Sequence, residues 1–250
     1  MSYPIISSYF NLGKIKSISV KITCPGNDNY GTGTLIKDDG YFYVLTAAHV
    51  IMNGNVPFDI EEIKIEGFWS QNARIIKGVK VEKTNPAPDK DYAIIRVDEP
   101  EGCTFDFDNC LLVVKECEET FPYRSYGFSK GGGLSGRVRE LDYQGSGKWK
   151  VKDEISTVGL SIDDVMRGQS GAGVFATDRN RLYLVGFVKS TVNDGDLHDD
   201  ISVQPMSVFN YEWKTNWYDN IEAAYGVPMA MSRPIIIAKN PISCEDKIVY

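Results

Sequence analysis

Three short segments carry the residue types that can turn a hydroxyl into a nucleophile. In Gly168-Gln169-Ser170-Gly171-Ala172-Gly173-Val174-Phe175 a serine lies among glycines, just before an apolar run. A serine hydroxyl attacks poorly until a neighbouring base takes its proton. Tyr43-Val44-Leu45-Thr46-Ala47-Ala48-His49 is an apolar run that ends in small residues and then presents a histidine. Imidazole titrates near neutrality and suits that base. In Asp91-Tyr92-Ala93-Ile94-Ile95-Arg96-Val97 an aspartate stands at the mouth of a buried run. A buried carboxylate would fix the imidazole tautomer and stabilise the imidazolium as it forms. Glycines around the serine let successive N–H groups point inward, where they can hold an oxyanion.

Taken singly, each segment has a plainer reading. A lone histidine after an apolar strand is usually a satisfied structural residue, and a lone aspartate before a strand is usually a turn residue. Together they supply a nucleophile, a base and an orienting acid, the residue types of acyl transfer. Asp89 competes with Asp91 for the acid's place, but the hydrophobic pattern after Asp91 favours Asp91.

Short strand-like runs must position these residues. They recur at 17–23, 33–36, 41–45, 63–68, 73–79, 92–97 and 111–115, then at 123–128, 136–143, 149–151, 156–159, 173–176, 182–188 and 201–203. Asp38-Asp39-Gly40 between two of them reads as a hairpin turn. Many short strands with few helical periods predict an all-β fold, and two sets of about six predict two antiparallel β-barrels. The expected division is an N-terminal lobe over 1–118 carrying His and Asp, a C-terminal lobe over 119–210 carrying Ser, and a terminal stretch over 211–250. Within that stretch, 215–225 reads as a short helix and 234–238 as one more strand. Gly131-Gly132-Gly133 lacks the Gly-Lys-Ser/Thr ending of a phosphate loop and reads as a turn.

Composition narrows the function. The 250 residues hold 27 basic and 34 acidic side chains, a net charge of −7, which argues against nucleic acid. The most basic stretch, 74–83, alternates Lys with Ile and Val and reads as a solvated strand face. No apolar run approaches the length of a membrane span. Five cysteines, an odd number, suggest neither a zinc site nor a redox pair, and no secretory signal opens the sequence. Reduced thiols in a cytoplasmic protein follow as the expectation. With His49 and His198 the only histidines, a multi-histidine metal site is excluded, and no cofactor is expected.

Thr46-Ala47-Ala48-His49, Asp91 with Ala93-Ile94-Ile95, and Gly168-Gln169-Ser170-Gly171 closely resemble the three motifs of the trypsin-like serine peptidases, in the chain order of that family. Gly31-Thr32-Gly33-Thr34-Leu35-Ile36 resembles the glycine-rich strand that precedes the family's histidine. The resemblance covers roughly 15–210. It implies two six-stranded β-barrels with the triad His49, Asp91 and Ser170 in the cleft between them. It also implies an oxyanion hole made by the N–H groups of Gly168 and Ser170.

The same resemblance places Asp164, six residues before the serine, at the base of the primary specificity pocket, with Asp163 as the neighbouring choice. A carboxylate there would select Arg or Lys in the substrate. Gly186-Phe187-Val188-Lys189-Ser190-Thr191 resembles the strand that pairs with an extended peptide, which makes Lys189, Ser190 and Thr191 substrate-binding candidates. Two positions depart from the pattern: Lys189 stands where a small serine often supports the aspartate, and Thr191 where trypsin has glycine. Lys189 is also a candidate to neutralise Asp164. Gln169 stands where secreted members carry the acid that pairs with a new N-terminus, so no trypsin-style zymogen switch is expected. The leading expectation is a serine endopeptidase acting on peptide or protein, with a regulatory protein partner as a candidate and, by analogy with bacterial and intracellular relatives, a place in a defence or stress system. The alternatives are a non-catalytic module that holds a peptide and an esterase using the same site.

Overall fold

A computed structural model of the chain describes residues 7–26, 30–69, 73–113, 123–128, 136–144, 149–151, 168–178, 181–191, 200–209 and 217–218. The expectations at 131–133, 156–159 and 234–238, and those for Asp163, Asp164 and His198, lie outside the described residues.

A helix, α1 (Ser7–Ile18), precedes the first strand. It buries Ile15 and Ile18 completely in the core. Ser17 Oγ donates to Lys14 O and Ser19 Oγ to Ile15 O, which closes its last turn with side-chain bonds. The strand expected over 17–23 therefore begins only at Ser19; Ser17 and Ile18 finish the helix.

Nine strands make up the first lobe among the described residues. They are β1 (Ser19–Thr23), β2 (Tyr30–Asp38), β3 (Tyr41–Thr46), β4 (Met52–Asn53), β5 (Val56–Pro57), β6 (Lys64–Gly67), β7 (Arg74–Ile76), β8 (Gly78–Asn85) and β9 (Tyr92–Val97). Seven of them form one sheet in the order β7-β6-β1-β2-β3-β9-β8, with β4 and β5 as a separate ribbon. The β2–β3 hairpin pairs Asp38 with Tyr41 and turns through Asp39 (φ 48°) and Gly40 (φ 80°), the sign pattern of a two-residue type I′ turn. Alternation along β1, β2, β3 and β9 places Val20, Ile22, Leu35, Val44, Leu45, Ala93 and Ile95 in the core at 0–1% exposure. Each large side chain so buried contributes roughly 1.5–3 kcal/mol of transfer free energy.

The second lobe holds β10 (Cys110–Val113), β11 (Tyr123–Gly127), β12 (Arg137–Tyr143), β13 (Trp149–Val151), β14 (Gly173–Asp178), β15 (Arg181–Thr191), β16 (Asp200–Pro205) and β17 (Trp217–Tyr218). Six of these close a ring, β14-β11-β12-β13-β16-β15, through the antiparallel β14–β15 pair. Strand β10, expected within the N-terminal lobe, lies instead parallel to the start of β15, and β17, from the expected terminal stretch, lies parallel to β10. Tyr123, Leu141, Trp149, Ala172, Val174, Ala176, Tyr183 and Val185 fill this barrel.

The all-β class is therefore as expected, and one lobe is a closed six-stranded barrel. The first lobe departs from the expectation. Its seven strands curl, but no ladder joins the edge strands β7 and β8. These edges are consecutive in sequence, with Lys77 alone between them, so the sheet must wrap round to bring them together. β8 breaks register twice, between Gly78 and Lys80 and between Val81 and Lys83, and such bulges bend a strand out of ladder geometry. The helix expected over 215–225 is also corrected in part: Trp217 and Tyr218 are extended against Leu112 and Val113, and the rest of that segment lies outside the described residues.

Candidate active site

The register of β3 against β9 sets the first half of the site. Thr46 pairs with Ala93, so the residues that follow β3 and those that precede β9 meet at one end of the sheet. After Thr46 the chain makes a 3-10 turn over Ala48–Val50, with Val50 N donating to Ala47 O and Ile51 N to Ala48 O. Ala47 and Ala48 are fully buried, and the small side chains let this turn sit tightly against the sheet. His49 projects from it with 49% of its side chain exposed.

Asp91 meets His49 twice. The backbone N–H of His49 donates to Asp91 Oδ1 at 3.1 Å, and Nδ1 lies 2.8 Å from Oδ2. A carboxylate only accepts, so a hydrogen bond to it is donated by Nδ1–H, and a neutral imidazole in that tautomer has its acceptor at Nε2. The Asp91 side chain is 8% exposed, whereas Asp89 is exposed, and among the described residues Asp91 is the carboxylate bonded to the imidazole. Asp91 has a left-handed backbone, φ 37°, uncommon for any residue but glycine. Its own N–H donates to Ala87 O, and its carbonyl accepts from Ala48 N. Backbone of this kind costs on the order of 1–3 kcal/mol and persists where its surroundings hold it.

Ser170 comes from the second lobe, on a tight turn just before β14. Gly168 (φ 91°) and Gly171 (φ 85°) flank the segment in conformations that side chains resist. An added Cβ at Gly171 would strike the Thr32 carbonyl and the Thr46 hydroxyl; at Gly168 it would strike the Phe128 carbonyl and the Tyr30 ring. Gly171 N donates to Val188 O and Val188 N to Ala172 O, which extends the β14–β15 ladder into the turn. Ser170 is half-buried, and among the described residues its hydroxyl and the N–H groups of Gly168 and Ser170 have no hydrogen-bond partner. The Gln169 side chain is fully buried, and its amide likewise has none among them.

Thr32, on β2 of the first lobe, moors this turn. Its N–H donates to Ser170 O at 2.8 Å and its hydroxyl to Gly168 O at 2.7 Å, while the hydroxyl oxygen accepts from Phe128 N at 3.0 Å. The Thr32 carbonyl in turn accepts from Thr46 Oγ1 at 2.7 Å, three residues before His49. A continuous chain of bonds thus links the serine turn to the histidine turn across the two lobes. Sequence reasoning missed Thr32 as part of the site. The available signal was its setting between Gly31 and Gly33, since glycines inside a strand mark a close backbone approach.

The remaining candidates divide. Lys189 reaches away from β15 and its ammonium donates to Pro88 O, on the loop before Asp91. Ser190 and Thr191 lie on the last residues of β15, paired with Ser202 and Ile201. Asp164 is among the residues the structure does not describe.

An all-β, two-lobed chain with a histidine–aspartate pair on one lobe and a serine turn on the other has the outline of a chymotrypsin-fold peptidase. The sequence matches the trypsin-like peptidase domain over residues 31–186, more than half of the chain, and the chain belongs to that family of serine-protease-type hydrolases. No curated protein matches the chain significantly. Among the described residues no helix is long and apolar enough to cross a membrane.

Proposed function

We propose that the chain is a serine endopeptidase in which Ser170 is the nucleophile, His49 the general base and Asp91 its orienting carboxylate. The observation that carries this reading is the two-point contact between His49 and Asp91, which fixes the tautomer that leaves Nε2 basic. Ser170 Oγ attacks the scissile carbonyl carbon as its proton passes to Nε2. The N–H groups of Gly168 and Ser170 hold the oxyanion, an interaction worth roughly a hundred- to a thousandfold in rate per donor. His49 then protonates the leaving amine as the C–N bond breaks, and water, deprotonated by the same imidazole, releases the acid and restores Ser170.

Cleavage after Arg or Lys is the specificity we assign, from the place of Asp164 six residues before the serine. The bond from Lys189 to Pro88 supports it, because the lysine's ammonium is directed at the Asp91 loop. The protein substrate, a regulatory protein partner, action in the cytoplasm and a role in defence or stress complete the reading.

Labelling with a fluorophosphonate, wild type beside Ser170→Ala, tests it, followed by cleavage of a mixed peptide library. Label lost in the variant and cuts after basic residues are the expected result. A label retained in the variant would overturn the assignment of Ser170, and cuts after apolar residues would remove Asp164 from the pocket. A folded wild type that neither labels nor cleaves would favour the peptide-holding module instead.

A further inference from the structure

The loop that delivers Asp91 is held by the other lobe. After β8 the chain runs Pro86-Ala87-Pro88-Asp89-Lys90 and turns on itself, with Lys90 N and Asp91 N both donating to Ala87 O and Ala87 N to Asn85 Oδ1. These local bonds shape the turn, and the Asn85–Tyr92 pair with the bond from Ala48 N to Asp91 O ties its ends to the first lobe. Two side chains from the second lobe reach its middle. Lys189 Nζ donates to Pro88 O, and Gln204 Nε2 donates to Asp89 O at 3.0 Å. They grip successive carbonyls, the nearer of them two residues from Asp91.

The backbone that aims them is itself irregular. In the β15–β16 pair Val188 faces Val203 and Ser190 faces Ser202, which leaves Lys189 as the extra, unpaired residue of a bulge. A bulge re-aims a side chain, and here it turns a residue of the expected substrate strand away from the sheet and onto the loop. Gln204 lies opposite Phe187 in the same pair and is 7% exposed, so its amide is presented from a fixed, buried position. Asp91 in turn keeps its left-handed backbone only while its surroundings impose it.

We propose that Lys189 and Gln204 are positioning residues, which clamp the 86–90 loop from the second lobe and so hold Asp91 against His49. The proposal rests on the catalytic reading of His49, Asp91 and Ser170, but its first readout does not. The chain has two histidines, so the side-chain nitrogen spectrum of 15N-labelled protein contains two imidazoles, and a His198→Gln variant assigns them. In wild type the His49 Nδ1 proton, bonded to Asp91, exchanges slowly and resonates far downfield. In the folded double variant Lys189→Met/Gln204→Leu that signal disappears and the two tautomers of His49 mix. The fluorophosphonate labelling rate falls roughly ten- to a hundredfold, the range for a catalytic group displaced by about an ångström. Lys189→Arg on its own keeps a cationic donor and retains the signal and most of the rate, which a general loss of stability would not reproduce. If the double variant does not fold, Lys189→Met alone is read the same way. An unchanged Nδ1 proton and unchanged labelling in a folded variant overturn the proposal. A wild type with the downfield proton but no labelling would instead refute the peptidase reading and leave the clamp standing.

Discussion

The two lobes solve the same problem in opposite ways. The first is an open, curled sheet that presents His49 and Asp91 from the ends of adjacent strands, so the proposed base and its orienting acid are brought together by register within one lobe. The second is a closed barrel that presents Ser170 on a turn between left-handed glycines, tied to β15, among the described residues, only on its far side, at Gly171 and Ala172. Part of what holds each of these segments comes from the opposite lobe. Thr32 of the first lobe holds the serine turn, and Lys189 and Gln204 of the second hold the aspartate loop. Such reciprocity makes the site a property of the docked pair of lobes. It also sorts the effects of substitution by whether a residue does chemistry, shapes a turn or ties the lobes together.

The largest effect is expected at the in-lobe pair. Asp91→Asn keeps the shape but offers an amide where the carboxylate accepted, so the imidazole is no longer held with its proton on Nδ1. A fall of about 10⁴ in kcat is expected, with KM little changed. Steady-state kinetics with the fragment the library identifies would check it. A fall of less than tenfold would mean that the His49–Asp91 contact is structural.

Next is the serine turn. Gly171→Ala puts a methyl group against the Thr32 carbonyl and the Thr46 hydroxyl at a backbone angle that side chains resist. The turn must shift or the lobes part, and a loss of roughly 2–4 kcal/mol is expected from overpacking and backbone strain together. Thermal and urea unfolding would register it. A variant as stable as wild type would show that the serine turn is not pressed against β2.

Smaller in stability, but sharper as a test of reciprocity, is Thr32→Val. It removes the hydroxyl that donates to Gly168 O and accepts from Phe128 N, with the shape of the side chain kept. Leaving a buried donor and acceptor unpaired costs about 1–3 kcal/mol. Since the residue belongs to the histidine lobe and the damage falls on the serine turn, fluorophosphonate labelling of Ser170 should slow while the His49 Nδ1 proton persists. Loss of that proton as well would mean that the two halves of the site are not separately held.

The sequence shows the chemistry more openly than the architecture. His49, Asp91 and Ser170 stand out because a nucleophile, a base and an orienting acid admit few residue types, and because strand, turn and glycine signals surround them. The β2–β3 hairpin and most of the described strands are legible from alternation and turn residues, but β4, β5, β17 and most of β8 are not. Helix α1 is not: Asn11, Gly13 and three serines break any clean helical period, and packing of Ile15 and Ile18 in the core stabilises it. The open edge of the first lobe is hidden too, because β7 and β8 read as one run and their placement at opposite edges depends on how the sheet curls. Lys189 reads as a substrate-strand residue because a bulge is invisible without its partner strand. The bonds of Thr32, Lys189 and Gln204 join residues about 100 positions apart or more, and no local pattern encodes such contacts.

The least effect, and the one that compares the lobes without touching the site, is alkaline. Cys24 lies in the first lobe with its thiol directed at Val50 O, and burial, with the nearby Glu62 carboxylate adding to it, pushes the thiol from 9.0 up to about 11. Cys110 lies on β10 of the second, where complete burial pushes it to about 12. Both are free thiols, neutral in the folded state at ordinary pH. A thiol whose folded pKa lies above its unfolded value supports the fold fully below about pH 9. That support is lost as pH rises through the folded value, because the unfolded chain ionises first. Stability should therefore hold from pH 7 to about 9 and decline between about 9 and 12. Cys110→Ala, though less stable throughout for its cavity, should decline less steeply over that window, and Cys24→Ala should flatten it by a smaller amount. Urea unfolding across pH would show this. Below pH 9, mass-spectrometric mapping after brief treatment with a thiol reagent should find both cysteines unmodified in the native protein. Rapid modification of Cys110 under those conditions would mean that β10 separates readily from β15, outside the closed ring.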